Sequence, residues 1–167
     1  RPTNHQSYLD PVLVAVQLRR PISYMAKSEL FTNRFFGWLI RSLHAFPVRQ
    51  GEGDVGAVKQ TIRQLKENNL LNIYPEGSRS RDGTIAPLQP GVALVIRRAQ
   101  VPVIPTVITG AYEALPIHRS KLKPHPIRVM YGKPLILHHL KPDQIIHQLQ
   151  TALESLFAEL NARQSSR

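Results

Sequence analysis

At 167 residues, 42% of them hydrophobic and 20% charged, the chain is long enough to bury one substantial core and too short for two. Its 22 Lys and Arg against 11 Asp and Glu leave a formal net charge of +11, a field that attracts phosphates, anionic lipid surfaces, acidic proteins or nucleic acid without choosing among them, and the lack of any long basic tract argues against a nucleic-acid tail. Zero cysteines exclude a disulfide scaffold, a thiolate metal site and a cysteine nucleophile, and no run approaches the roughly 20 apolar residues of a spanning helix, so any membrane contact of this segment is expected to be peripheral.

Apolar runs of strand length alternate with segments of helical period, which predicts an α/β domain built from strand-helix units, with a mostly parallel or mixed central sheet flanked by helices. Asp10-Pro11 ahead of Val12, Leu13 and Val16 reads as a helix start, and Pro21 to Met25 as a short strand. Leu30 to Phe46 is predicted as one helix, whose Phe31, Phe35, Phe36, Trp38, Leu39, Ile40 and Leu43 suit either a lipid surface, with Arg34 and Arg41 meeting phosphates, or packing on the sheet. Val48 ends a short strand, and Gly51 to Asp54 breaks the chain before a helix through Val55, Val58, Ile62 and Leu65 that stops near Asn68-Asn69. Leu70 to Tyr74 is strand-like and runs into Pro75-Glu76-Gly77, which places Glu76 and its successors in a loop at a strand end, where α/β sheets put their chemistry. A helix over Gly91 to Ala99, a strand over Val101 to Thr109, a Pro-rich loop from Pro116 to Pro126 and a strand over Ile127 to Tyr131 follow. The stripe Ile145, Ile146, Leu149, Leu153, Leu156, Phe157 and Leu160 marks a C-terminal helix, with the polar residues from Ala162 to Arg167 expected to fray.

Two segments carry chemistry. Asn4 to Asp10 sets His5 five residues before Asp10 at a helix entrance, as a dyad would in which the carboxylate fixes the imidazole tautomer and the other ring nitrogen takes a proton from a hydroxyl. Ser7-x-x-Asp10 before an apolar run is also a capping-box variant, and taken alone the spacing favours capping. In Tyr74 to Gly83, Gly77 allows close backbone approach, while Ser78, Arg79, Ser80 and Arg81 offer two hydroxyls and two guanidinium groups to a phosphate; a polar turn closed by Asp82-Gly83 is the plainer reading. His138-His139 are adjacent and fall on opposite faces of a strand, and His-Glu-x-x-His is absent, so no metal is expected.

Together, in order, these segments resemble the blocks of the lysophosphatidic acid acyltransferase family (1-acylglycerol-3-phosphate O-acyltransferases). The block N-H-x-x-x-x-D stands complete as Asn4 to Asp10, F-P-E-G-[ST]-R-S stands as Tyr74 to Ser80 with Tyr74 for phenylalanine, Phe46-Pro47-Val48-Arg49 approximates the intermediate block, and Val101 to Pro105 matches V-P-[VI]-x-P. The resemblance, over about residues 1–136, implies that His5 is a general base oriented by Asp10 and that the acceptor hydroxyl attacks an acyl thioester directly. It implies that Arg79 and Arg49 bind the acceptor phosphate, with Glu76, Gly77 and Ser78 shaping that pocket. The inventory agrees, since neither a cysteine nor a G-x-S-x-G elbow is present to form an acyl-enzyme.

The implied partners are an acyl-CoA or acyl carrier protein donor, a lysophospholipid acceptor and the cytoplasmic face of a membrane, with no cofactor and no nucleic acid. Glycerol 3-phosphate or another lysolipid as acceptor, and a basic lipid-binding module without turnover, remain open as rivals. The family carries a strand and membrane-binding helices ahead of the first block, whereas this sequence starts at Arg1, so an N-terminal part is expected to lie outside it. An acyltransferase domain over residues 1–162 with a polar tail over 163–167 completes the expectation.

Overall fold

A computed structural model describes residues 1–16, 18, 20–48, 55–116, 118 and 121–165. The elements run α1 (Asp10–Val16), β1 (Ile22–Lys27), a 3-10 turn (Ser28–Phe31), α2 (Arg34–Ser42), β2 (Ala45–Val48), α3 (Val55–Lys66), β3 (Leu70–Asn72), α4 (Gly91–Ala99), β4 (Thr106–Thr109), α5 (Ala111–Ala114), β5 (Arg128–Tyr131) and α6 (Pro142–Ser165). β2, β1 and β3 form a parallel sheet in that order, and β4 pairs antiparallel with β5. The N-terminal segment joins the two, because Pro2 bridges Ile73 and Thr3 bridges Thr106, both in parallel. The result is a mixed α/β sheet in which the N-terminal segment, β1, β2 and β3 all point the same way. Their ends share one edge, so His5 and the loop after β3 emerge side by side.

Period-two alternation splits the strands between two cores. Leu71, Val107 and Met130 face α4 and α6, while Leu70, Ile108 and Val129 face α1. α6 contributes the fully buried Ile145, Leu149 and Leu153 at four-residue spacing, and truncating either leucine to alanine costs about 2–5 kcal/mol in such a site.

Several boundaries differ from the sequence expectation, each for a physical reason. The helix predicted over Leu30 to Phe46 is broken in two: Asn33 caps α2 by accepting from the N–H of Phe36 at 3.0 Å, and the chain turns at His44 with φ of 61° before entering β2. The strand predicted from Val101 starts only at Thr106, because Pro102 and Pro105 lack the N–H a ladder needs; Val103 alone bridges, to Leu135. α5 was not foreseen, being one turn long. α6 continues through Ser165, so residues 162–165 are helical rather than frayed, and no break separates 162 from 163. His138 and His139 lie in a turn, not on a strand, with their rings edge-on at 5.9 Å.

Candidate active site

The loop before α1 is pinned by its polar side chains. Asn4 substitutes for a strand residue: its amide donates to the carbonyl of Ile108 at 3.0 Å and accepts from the Ile108 N–H at 2.7 Å. Thr3 donates to Asn72 Oδ1 at 2.6 Å, and Gln6 reaches the carbonyl of Gly83 at 2.6 Å. Ser7 donates to the carbonyl of Leu115 at 2.8 Å. All four are buried, which a surface turn could not sustain without such partners.

Within that frame His5 Nδ1 lies 2.7 Å from Oδ2 of Asp10, a carboxylate with no exposed surface. The same oxygen accepts the backbone N–H groups of Gln6 at 2.6 Å and Ser7 at 2.8 Å. The bond from Ser7 is one half of a capping box, so the capping and dyad readings of Asp10 are a single arrangement. Held by a carboxylate, Nδ1 carries the proton, and Nε2 has no hydrogen-bond partner among the described residues.

The loop after β3 is stapled to His5 itself. The N–H of His5 donates to Glu76 Oε1 at 2.7 Å, and the N–H of Ser80 donates to the His5 carbonyl at 2.7 Å. The second oxygen of Glu76 accepts from the N–H of Ala86 at 2.7 Å. Glu76 is thus a buried strut whose two oxygens are both spent on main chain. Burial pushes its carboxyl above the ordinary range, and the N–H groups of Ala86 and His5 oppose that rise. Tyr74, where the family motif has phenylalanine, stacks on the His5 ring at 3.9 Å with an interplanar angle of 17°. Its hydroxyl is buried beside the Asn72 amide without a hydrogen bond of regular geometry among the described residues, and burial, then the Asp10 charge, hold the phenol well above its usual pKa.

Gly77 closes the turn with φ of 77°, and a Cβ there would stand 3.1 Å from Gln89 Cγ, so the position needs glycine. Ser78 is exposed. Arg79 lies over the Tyr8 ring with its guanidinium carbon 3.7 Å from the ring centroid, and among the described residues no carboxylate is within ion-pair range of it. Ser80 turns inward to Asp82 Oδ1 at 3.0 Å, while hydrogen bonds from Thr84, main chain first, hold the Asp82 carboxyl below its usual range. Arg49 lies outside the described residues.

His5, Asp10, Glu76, Gly77 and Arg79 therefore meet at one edge of the sheet. Sequence reasoning placed these but missed two contributors. Asn4 was read only as a motif letter, although an amide at a strand end is a means of satisfying a neighbouring strand's main chain. Tyr8 is the other, an exposed aromatic on the loop ahead of Asp10 of the kind that can seat a guanidinium. A groove of about 1040 Å³ lies elsewhere, between α1, β5 and α6, and none of these site residues lines it.

A buried carboxylate, an imidazole whose second nitrogen has no partner among the described residues, and an arginine with no carboxylate partner among them stand together at this edge. The family model described as Acyltransferase matches residues 3–109, and the chain belongs to that family. It is 29% identical over 161 residues to the 1-acyl-sn-glycerol-3-phosphate acyltransferase of Streptococcus pneumoniae, covering 94% of this chain and 58% of that protein. To the Bacillus subtilis protein of the same name it is 28% identical over 160 residues, covering 93% of this chain and 77% of that one. The crystal structure of the 1-acyl-sn-glycerophosphate (LPA) acyltransferase PlsC from Thermotoga maritima superposes with a TM-score of 0.85 at 25% identity, over 96% of this chain and 65% of that chain.

Proposed function

We propose that this domain transfers a fatty acyl group from a thioester donor, acyl-CoA or acyl carrier protein, to the free hydroxyl of 1-acylglycerol 3-phosphate, giving phosphatidic acid. The observation that carries the reading is the 2.7 Å contact between His5 Nδ1 and the buried Asp10, which leaves Nε2 without a hydrogen-bond partner among the described residues.

The acceptor hydroxyl gives its proton to Nε2 as its oxygen attacks the thioester carbonyl. The tetrahedral intermediate collapses with cleavage of the carbon–sulfur bond, and the departing thiolate takes the proton back from the imidazolium, so one ester and one thiol leave and the base is regenerated. Asp10 stabilises the imidazolium during that interval without itself taking the proton. Arg79, with Arg49, holds the acceptor phosphate, for which the planar guanidinium is better suited than an ammonium. The net charge of +11 favours both anionic substrates. A lysolipid acceptor brings the reaction to a membrane surface, and no described helix is long and apolar enough to cross one.

The test is to offer labelled acyl thioester with lysophosphatidate or with glycerol 3-phosphate in mixed micelles and to identify the labelled lipid. Labelled phosphatidate, absent with His5→Ala, is the expected product; label recovered only as free fatty acid would make the protein a thioesterase instead.

A further inference from the structure

α2 carries a face that the fold does not use. Of its nine residues only Gly37 is buried, seated so closely on the 3-10 turn that a Cβ would lie 3.0 Å from the Phe31 carbonyl oxygen. Around that contact Phe35 is 73% exposed and Trp38 64%, with Leu30, Phe36, Leu39 and Leu43 exposed beside them. The Phe35 and Trp38 rings stand together at 6.4 Å. Single exposed apolar residues need no explanation, but six large ones on one short segment do. The core alternative is closed, because the inward faces of the sheet are already covered by α1 on one side and by α4 and α6 on the other.

The charged residues on this segment are mostly basic. Arg34 and Arg41 flank the aromatic residues, the Arg41 guanidinium lies over the Phe31 ring at 4.9 Å, and Glu29 is the single acid between Ser28 and Leu43. An aromatic and aliphatic face bordered by arginines fits the boundary of an anionic bilayer, where rings enter the acyl region and guanidinium groups stay with phosphates. Topology places the face usefully. The 3-10 turn leaves β1 at the edge where β3 delivers Glu76 and the N-terminal segment delivers His5, so α2 starts at the same edge of the sheet as the candidate active site and leads back to the start of β2 at the opposite edge.

We infer that the 3-10 turn and α2 form the surface by which this domain sits on an anionic membrane, orienting the His5 edge toward lysolipid in the bilayer. The inference rests on the lipid-acceptor reading and names its partner surface.

Trp38 is the chain's one tryptophan, so its emission reports this face alone. The protein is titrated with phosphatidylcholine vesicles, with and without phosphatidylglycerol. Trp38 emission shifts to shorter wavelength with the anionic vesicles, and added salt weakens the binding because the arginine contribution is screened. Phe35→Ser with Leu39→Ser lowers vesicle affinity by about ten-fold or more, as expected when burial of a phenyl and an isobutyl group is lost. Acylation of vesicle-embedded lysophosphatidate falls with it, while acylation of a short-chain lysophosphatidate in free solution stays at the parental rate.

Unchanged Trp38 emission on anionic vesicles, or parental vesicle affinity in the double variant, overturns the docking face. So does lipid-free self-association that the double variant abolishes, which would assign the face to a second copy of the chain. A parent that acylates neither acceptor refutes the acyltransferase reading instead, and the Trp38 shift still reports on docking.

Discussion

Asp10→Asn is nearly isosteric, and the geometry fixes how the new amide will sit. Three donors converge on Oδ2 of Asp10, from His5 Nδ1 at 2.7 Å, Gln6 N at 2.6 Å and Ser7 N at 2.8 Å, whereas Oδ1 is buried without a partner among the described residues. The asparagine oxygen takes the Oδ2 position and its NH₂ the unpartnered one, so His5 keeps its tautomer and orientation. What is lost is the negative charge opposite the imidazolium. The difference between a charge-assisted and a neutral hydrogen bond is about 1–2 kcal/mol, and full Coulomb attraction at about 4 Å with an effective dielectric near 20 is about 4 kcal/mol. The expected fall in kcat is therefore between about 10-fold and about 10³-fold. Leaving the new NH₂ unpaired lowers stability by about 1–3 kcal/mol. Asp10→Ala behaves differently, since it strands two buried main-chain donors at a cost of about 2–6 kcal/mol, a large part of a domain's total stability. Turnover at saturating donor and lysophosphatidate, with melting curves for all three proteins, checks both numbers. Asp10→Asn turning over within two-fold of the parent, or Asp10→Ala melting with it, would refute this account of the dyad.

The parts of this site that were legible in the sequence are those where one residue type at one spacing has few physical uses. His5 with Asp10 at a helix entrance, and a glycine following a strand and Pro75-Glu76, are of that kind: the histidine and the aspartate are in contact at 2.7 Å, and Gly77 takes a φ of 77°. α4 was read to its ends because Gly91 opens an unbroken apolar period that stops at Gln100, which adopts the left-handed conformation after the last turn. The junction of the two motifs was not legible. It depends on the N-terminal segment pairing with Ile73 on one side and Thr106 on the other, contacts about 70 and 100 residues away that no local pattern encodes. Glu76 looked like a pocket residue for the same reason: only the folded chain shows both its oxygens committed to His5 and Ala86. The sequence predicts too long a helix around α2 because the apolar residues Leu43, Ala45 and Phe46 continue past its end at Ser42, and neither Asn33 as a cap nor the turn at His44 interrupts the apolar pattern itself.

Glu76→Gln sets an NH₂ against a main-chain N–H at one of two buried acceptor positions, so the variant should melt lower by about 1–3 kcal/mol and lose turnover as the His5 loop loosens. Because burial holds the Glu76 pKa above its unfolded value, its titration contributes stability that is complete below the unfolded pKa and lost as pH rises through the folded one; the Glu76→Gln penalty in melting should shrink over that rise, and a penalty that grows would refute the direction. Tyr74→Phe keeps the stack on His5 and removes a buried hydroxyl without a regular partner, so it should melt no lower than the parent; a clear loss of stability would show that the hydroxyl is well bonded. Arg79 gives the sharpest test of substrate placement. Its guanidinium is seated on Tyr8 at 3.7 Å and has no carboxylate partner among the described residues, so it is oriented yet available. Charge-assisted bonds to a phosphate are worth about 1.5–3 kcal/mol, which makes the expected rise in acceptor KM for Arg79→Ala about 10-fold to 100-fold, with donor KM unchanged and only partial recovery in Arg79→Lys, because an ammonium lacks the fork. Paired saturation curves in lysophosphatidate and in donor decide the matter: an Arg79→Ala enzyme whose donor KM rises while its acceptor KM stays at the parental value moves this arginine to the donor's phosphates.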